Sequence, residues 1–179
     1  MRAPAERVVV HFRPAIVADI PVLRSLAQTI WRACYPAIIT GEQIEFMLDW
    51  MYSAATIRAE LERGITWELI EDAESGAAGF LSFQLESDGR VKLNKLYVLP
   101  ELHGRGIGMR AIARVLERAE ALGAKAVWMQ VNKRNTRALA AYQKAGFHIA
   151  SEAVFQIGEG FVMDDYLMEK AIHPHAAAD

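Results

Sequence analysis

The strongest chemical pattern in the sequence is a glycine-rich segment that lies between a hydrophobic run and a helical pattern. The run is residues 96–99, and the segment reads His103-Gly104-Arg105-Gly106-Ile107-Gly108. The first turn of a helix carries amides without helical partners and the positive end of the helix dipole, and glycines let an anion approach them. Arg105 adds a positive charge. The segment therefore predicts a binding site for a diphosphate group.

Two other classes of phosphate-binding site fit this segment less well. Gly106-x-Gly108-x-x-Ala111 satisfies a relaxed dinucleotide fingerprint. A Rossmann fold requires that loop after its first strand, with an acidic residue about 20 positions later. Here several strand patterns precede the loop, and the next one ends at Asn132-Lys133 without a carboxylate. A Walker loop is excluded because no Gly-Lys-Ser/Thr closes the segment.

The elements that must position this segment begin with a strand and three helices. Residues 7–13 are β-branched and aromatic enough for a first strand. Asp19 is placed as the cap of a helix that continues to Cys34, a thiol expected to be buried on its apolar side. Thr40 begins a capping box before a second helix, and a third helix ends at Gly64.

The second half of the sequence predicts mainly strands. Extended runs at 65–71, 78–86 and 91–99 are separated by turn residues and predict an antiparallel meander. The remaining predicted elements are a helix at 107–122, a strand at 126–131, a helix at 136–145 and a hairpin of 147–157 with 161–169. The order strand, helix, strand makes 91–99 and 126–131 parallel neighbours.

These motifs resemble the Gcn5-related N-acetyltransferase family. The family's cofactor motif is Gln/Arg-x-x-Gly-x-Gly/Ala, from whose first residue His103 departs. A second motif, Asn-…-Ala-x-x-x-Tyr-x-Lys-x-Gly-Phe, matches residues 132–147. The resemblance implies an α/β (α+β) fold with a mixed, mostly antiparallel sheet of about seven strands and about four helices, in which the parallel pair 91–99 and 126–131 splays apart. It also implies acetyl-CoA as cosubstrate and no metal.

The resemblance also implies which residues bind the cosubstrate. The pantetheine arm lies between the splayed strands, held by main-chain groups near Tyr97 and from the side by Asn135, and Tyr142 points at the sulfur. The implied binding residues are Leu96, Tyr97, Val98, His103, Gly104, Arg105, Gly106, Ile107, Gly108, Met109, Asn135, Tyr142 and Lys144.

Tyr142 is the predicted catalytic residue. Attack by an amine on a thioester expels a thiolate, and a phenol with a reference pKa of about 10 can protonate a thiolate whose conjugate acid has a pKa near 8.5. Spacing alone leaves a core tyrosine equally open, because Ala138, Tyr142 and Ala145 share a helix face. The motif favours the proton donor. The base that deprotonates the acceptor amine is left unassigned.

The acceptor side is expected to be aromatic and acidic. Within the family, the first helices and the C-terminal hairpin border the acceptor. The residues predicted to contact it are Trp31, Tyr35, Glu42, Asp164 and Asp165. Carboxylates favour a cationic amine. Residues 160–170, together with residues 47–53, resemble a bacterial branch of the family that includes spermidine and spermine acetyltransferases. Charges on a helix face are often only solvated, so the acidic face of the second helix is also explained by exposure to solvent, without a role in binding.

Composition limits the partners and the location. A net charge of -2 disfavours nucleic acid, and the lack of a long apolar stretch disfavours a membrane span or signal peptide. We therefore expect a cytoplasmic, single-domain enzyme at residues 1–170 with a flexible tail at 171–179, acting on a small-molecule amine, with a homodimer as an option. The alternatives are a protein or peptide N-acetyltransferase and a non-catalytic acyl-CoA sensor.

Overall fold

The structure is a computed structural model that describes residues 9–74 and 76–172. Single turns of 3-10 helix at Val17–Asp19 and Pro100–Leu102 accompany five helices and seven strands in this part of the chain. The helices are α1 Ile20–Cys34, α2 Gly41–Tyr52, α3 Ala54–Glu62, α4 Ile107–Ala121 and α5 Thr136–Lys144. The strands are β1 Val10–Pro14, β2 Thr66–Asp72, β3 Gly76–Leu85, β4 Arg90–Val98, β5 Ala126–Asn132, β6 His148–Gly158 and β7 Phe161–Ala171.

The strands form one mixed sheet in the order β1-β2-β3-β4-β5-β7-β6. β4 and β5 are parallel, and their paired stretch joins Arg90–Lys92 to Ala126–Trp128. β7 pairs antiparallel with β5 over the full length of β5, and β6 pairs antiparallel with β7. The predicted fold class is confirmed, including the parallel pair between the fourth and fifth strands.

The described residues group into two compact units, and β3, β4 and α4 each have residues in both. The first unit comprises the chain up to Ser82 together with Lys95–Ala111. Its core is aromatic, with Trp31, Trp67, Tyr52 and Phe80 fully buried. Side chains cap two of its helices: Thr40 accepts a hydrogen bond from the Gln43 amide at the start of α2, and Ser53 accepts one from the Thr56 amide at the start of α3.

The second unit comprises Phe83–Asn94 and the chain from Ile112 onward. Its core is aliphatic, because the apolar face of α4 and the buried positions of β4, β5 and β7 supply it. The buried residues include Val91, Ile112, Val115, Ala119, Val127, Met129 and Met168. Gly123 adopts a φ of 68° just after α4, the left-handed conformation that commonly ends a helix.

A few local expectations need correction. β7 continues to Ala171, and the Ile172 amide bonds to the Lys125 carbonyl, so the first two residues of the predicted tail are ordered. Residues 7, 8 and 173–179 lie outside the described part of the chain. Cys34 is half-buried rather than buried. The Asp19 carboxylate does not cap α1, because it accepts from the Ile16 amide and Arg13 instead. The single-domain arrangement stays a prediction.

Candidate functional site

The glycine segment lies in the first unit, between the end of β4 and the start of α4. The first helical hydrogen bond of α4 joins the Arg110 amide to the Gly106 carbonyl, 3.2 Å apart. The amides of Ile107, Gly108 and Met109 lie before this bond and therefore have no hydrogen-bond acceptor within α4. The dipole of this 15-residue helix has its positive end at the same place.

No described residue crowds the three glycines. Apart from chain neighbours and its own helix backbone, a Cβ built on Gly104, Gly106 or Gly108 would meet no described atom within 4 Å. Gly104 and Gly106 have φ values of 80°, which L-residues with side chains rarely adopt, whereas Gly108 has no such conformation. Backbone conformation thus accounts for two of the glycines. The missing side chains also leave the amides at the start of α4 uncovered, which suits an anion such as a diphosphate.

His103 connects the segment to the preceding strand. Its Nε2 atom lies 2.8 Å from the carbonyl oxygen of Val98, the last residue of β4. The residue that departs from the family's motif therefore has a defined structural contact in this chain. Nothing in the order of residues predicts that contact.

Gly79 is a site-forming residue that the sequence analysis missed. A Cβ at Gly79 would collide with the carbonyl oxygen of Tyr97 and come within 3.0 Å of the Val98 Cα. The Leu99 amide also donates to the Ala78 carbonyl at 2.9 Å. Gly79 is thus required for the position of the β4 main chain that the resemblance assigns to the pantetheine arm. An isolated glycine inside a strand pattern was the available signal, since it often marks a close backbone approach.

Trp31 and Tyr35 belong to a buried aromatic cluster of the first unit. Their rings stack with centroids 4.1 Å apart, and the Tyr35 hydroxyl lies 3.3 Å from that of Tyr97. Burial, and next the neighbouring Tyr35, raise the pKa of Tyr52, which packs edge-on against Trp31. Trp31 and Tyr35 are both buried, so an acceptor would reach them only at the edge of this cluster.

The acidic stripe of α2 is exposed, and part of its charge is compensated. Glu42, Glu45 and Asp49 all face solvent. Arg32 of α1 donates to both carboxylate oxygens of Glu45 at 2.8 Å and lowers the pKa of that carboxyl. Glu42, which was predicted to contact the acceptor, and Asp49 are thus the better placed to attract a cation in solution.

The second motif lies in the second unit and forms α5. Asn135 is the N-cap, and its Oδ1 accepts from the Ala138 amide at 3.2 Å. The Nδ2 group of Asn135 can still donate to a ligand. Tyr142 is buried, and its ring packs edge-on against Phe147 with centroids 5.7 Å apart. Lys144, in the last turn of α5, is exposed.

Asp164 and Asp165 differ sharply in environment, as their alternation along β7 predicts. Asp164 is exposed, and its carboxylate lies 2.7 Å from Lys133 Nζ. Asp165 is only 3% exposed, and its Oδ1 has no hydrogen-bond partner in the described part of the chain. Burial, and next the charge of Asp164, raise the pKa of Asp165 to about 6, while Lys133 acts in the opposite direction.

Among residues 9–74 and 76–172, no group of three or more His, Cys, Asp and Glu side chains is arranged to hold a metal ion. Within the same ranges, no helix combines the length and the apolar character that crossing a membrane requires.

Comparison with known proteins places this arrangement in a family. The sequence profile of the Acetyltransferase (GNAT) family matches residues 24–147. Uncharacterized N-acetyltransferases of Mycobacterium bovis and Mycobacterium tuberculosis are 32% identical to the chain over 146 residues, which are 82% of this chain and 92% of each relative.

Solved structures show the same fold. The PaiA N-acetyltransferase from Thermoplasma acidophilum, in complex with coenzyme A, has a TM-score of 0.74 and 21% identity over 91% of this chain and 99% of that chain. The spermidine N-acetyltransferase from Vibrio cholerae, in complex with CoA and spermine, has a TM-score of 0.69 and 16% identity over 91% and 95%. These likenesses concern the fold.

The chain therefore belongs to the acetyltransferase (GNAT) family and is an acetyl-CoA-dependent N-acetyltransferase. The predicted enzyme class and the predicted cosubstrate are confirmed. Enzymes of this family need no metal.

Proposed function

We propose that this enzyme transfers the acetyl group of acetyl-CoA to the primary amine of a small cationic acceptor of the polyamine class. The observation that carries the proposal is the open space at Gly104, Gly106 and Gly108 in front of the first-turn amides of α4. A doubly charged diphosphate is the ligand that such a helix start binds best, and it anchors a long cosubstrate at one end.

Different residues of this chain bind different parts of acetyl-CoA. The segment His103 to Met109 binds the diphosphate through its amides, aided by the charge of Arg105. Main-chain groups of Leu96, Tyr97 and Val98 hold the pantetheine arm, and the short pairing of β4 with β5, over Arg90–Lys92 only, suits a strand whose later residues bind a ligand. The family resemblance also assigns Asn135 and Lys144 to acetyl-CoA binding. Acetyl-CoA supplies an activated thioester.

Tyr142 is the proton donor of the proposal. A phenol retains its proton at neutral pH, because its reference pKa is about 10. It can therefore give that proton to the departing sulfur, which would otherwise leave as a thiolate. The packing of Tyr142 against Phe147 holds the ring in one orientation.

The acidic surroundings support a cationic acceptor. Glu42 and Asp49 present carboxylates on the exposed face of α2, and the buried carboxylate of Asp165 needs a positive partner. Carboxylates raise the local concentration of a polyamine and then pair with its ammonium groups. The likeness in fold to a spermidine acetyltransferase agrees with this acceptor class.

Calorimetry with acetyl-CoA, followed by a thiol-release assay, tests the proposal. The assay compares spermidine and spermine with a neutral aryl amine, amino acids, aminoglycosides and short peptides. We expect micromolar acetyl-CoA binding and the highest kcat/KM with polyamines. No binding would overturn the whole proposal, and equal turnover of aryl amine and polyamine would overturn the cationic acceptor. A preference for peptides would support a peptide acetyltransferase, and binding without turnover would support a sensor.

A further inference from the structure

Asp165 is a charged residue with a buried, unpaired carboxylate oxygen in the described part of the chain. It is 3% exposed, and its Oδ1 has no hydrogen-bond partner there. Its register neighbours offer no charge: Asn132 stands opposite on β5 and Ala153 opposite on β6. Asn132 directs its own side-chain oxygen to the Arg134 amide. An unpaired buried carboxylate is costly, so its presence calls for a function.

Lys133, whose charge acts on Asp165, is already paired with other carboxylates. Lys133 Nζ lies 2.7 Å from Asp164 and 2.8 Å from Glu152, and both contacts raise the pKa of Lys133. β-strand alternation explains the difference between the two aspartates, because consecutive residues point to opposite faces of the sheet. Asp164 shares the face of Lys133 and Glu152, and Asp165 faces away from them. A positively charged group of a ligand would give the Asp165 carboxylate the partner that it lacks.

Asp165 also lies at the end of the sheet from which α5 begins. Its partner Asn132 is the last residue of β5, and the Asn132 carbonyl accepts from the Asn135 amide at 2.9 Å. Asn135 in turn caps α5, the helix that carries Tyr142. Within the second unit, only a short turn thus separates the end of β5, which pairs with Asp165, from the proposed cosubstrate residues of α5.

We propose that Asp165 is the general base of the reaction, the group that takes a proton from the acceptor's ammonium. This inference rests on the proposed function, which leaves the base unassigned. Asp165 accepts one proton from R-NH3+, and the neutral nitrogen then forms a bond to the acetyl carbon while the bond from that carbon to sulfur breaks. Tyr142 gives its proton to the sulfur and recovers one from the newly bonded nitrogen. The products are the amide, the thiol and the proton on Asp165, which passes to water.

The electrostatic surroundings suit this role. The charged groups that act on Asp165 are Asp164 beside it and Lys133 after β5, whereas the facing positions on β5 and β6 are uncharged. Burial is the larger cause that brings the pKa of Asp165 to about 6. The carboxylate is therefore ionised at neutral pH and is a stronger base than an ordinary aspartate.

The pH dependence of kcat/KM for spermidine, measured in Asp165→Asn and in Glu152→Gln, tests the assignment. The wild type should show a rising limb with a midpoint near pH 6. Asp165→Asn should lose this limb and about 100-fold in kcat/KM, within the range that general bases contribute. Glu152→Gln is the control, because it removes an exposed carboxylate that pairs with Lys133 on the opposite face, and it should keep most of the rate.

Two further measurements do not depend on the rate of that variant. Calorimetry of spermidine binding to the CoA complex should show tighter binding at pH 8 than at pH 5 in the wild type and no such difference in Asp165→Asn. Formate should restore part of the activity of Asp165→Ala, because it supplies the missing carboxylate. The inference would be overturned if neither the pH-dependent binding nor the rescue by formate is observed. It would also be overturned if Asp165→Asn binds acetyl-CoA and keeps the wild-type dependence of kcat/KM on pH. Absence of acetyl-CoA binding in the wild type would instead overturn the proposed function.

Discussion

The Nε2 atom of His103 lies 2.8 Å from the carbonyl oxygen of Val98, which joins the start of the glycine segment to the last residue of β4. A carbonyl only accepts, so Nε2 carries the hydrogen in this contact. The contact fixes the segment against the strand whose main chain is proposed to hold acetyl-CoA. His103 thus takes a structural part in the site.

We predict that His103→Ala weakens acetyl-CoA binding about fivefold, because one hydrogen bond contributes roughly 1 kcal/mol to holding the segment. His103→Gln restores the donor that the family's motif commonly has at this position, and it should stay within about twofold of the wild type. Calorimetry of acetyl-CoA binding measures both. Unchanged affinity in the alanine variant, or a larger loss in the glutamine variant, would contradict this role.

Gly108 allows cosubstrate binding to be separated from folding. It lacks a positive φ, and a Cβ there enters empty space, so Gly108→Ala should leave stability unchanged or raise it by about 0.5 kcal/mol. The same methyl group would stand in front of the α4 amides, and we predict at least a tenfold loss of acetyl-CoA affinity. Chemical denaturation and calorimetry measure the two effects.

Gly41 offers the matched control for that substitution. It lies at the start of α2, likewise without a positive φ and with nothing within 4 Å of an added Cβ. Gly41→Ala should therefore change neither stability by much nor acetyl-CoA affinity. Equal affinities for the two alanine variants would mean that the diphosphate binds elsewhere.

Much of the fold follows from local patterns in the sequence. The helical spacing of Leu23, Ala27 and Ile30 predicts α1 correctly, and the Thr40 capping box predicts the start of α2. The glycine segment is recognisable because its chemistry depends on backbone amides, whose position follows from where a helix begins. Elements whose identity depends on periodicity and caps can thus be predicted from the order of residues alone.

The contacts that depend on tertiary packing cannot be predicted in the same way. Alternation predicts that Asp164 and Asp165 face opposite ways, yet it does not tell which of the two faces is covered. The ring of His103 finds the Val98 carbonyl only when the 3-10 turn at Pro100–Leu102 brings the segment back toward the strand. Long-range geometry of this kind is not encoded in the spacing of neighbouring residues.

Tyr142 can be tested by removing its hydroxyl alone. Tyr142→Phe keeps the packing against Phe147, so we predict a kcat about 100-fold lower and an acetyl-CoA affinity within twofold of the wild type. Tyr166→Phe, a half-buried tyrosine of β7, is the control and should keep its kcat. Steady-state kinetics with a polyamine, together with calorimetry, provide the readout. An unaffected kcat in Tyr142→Phe would exclude it as the proton donor.

Gly79 should be intolerant of any side chain. A Cβ there collides with the Tyr97 carbonyl of the adjacent strand, and neither main chain can move without breaking the sheet. We predict that Gly79→Ala lowers the free energy of unfolding by about 3 kcal/mol, as overpacking in a core does. Urea denaturation measures the loss against Gly41→Ala, where an added Cβ meets open space. A loss below about 0.5 kcal/mol would show that β3 and β4 can separate.

The last prediction concerns the pH dependence of stability and needs no substrate. The pKa of Asp165 is 3.8 in the reference state and about 6 in the folded chain, so between these values the folded state binds more protons than the unfolded state. Stability from this group is therefore present at low pH and is lost as the pH rises through 6. Asp165→Asn cannot ionise and should be more stable than the wild type at pH 8, by on the order of 2 kcal/mol.

Thermal unfolding at pH 4 and pH 8 measures the effect, which should raise the Tm of Asp165→Asn by roughly 5 °C at pH 8 and fade toward pH 4. Asp164→Asn, which removes a partner of Lys133, should not be stabilised at either pH. A lower Tm for Asp165→Asn at pH 8 would mean that the ionised carboxylate has a compensating partner within the folded chain. In that case Asp165 would stabilise the fold and would have no role in binding a cationic amine.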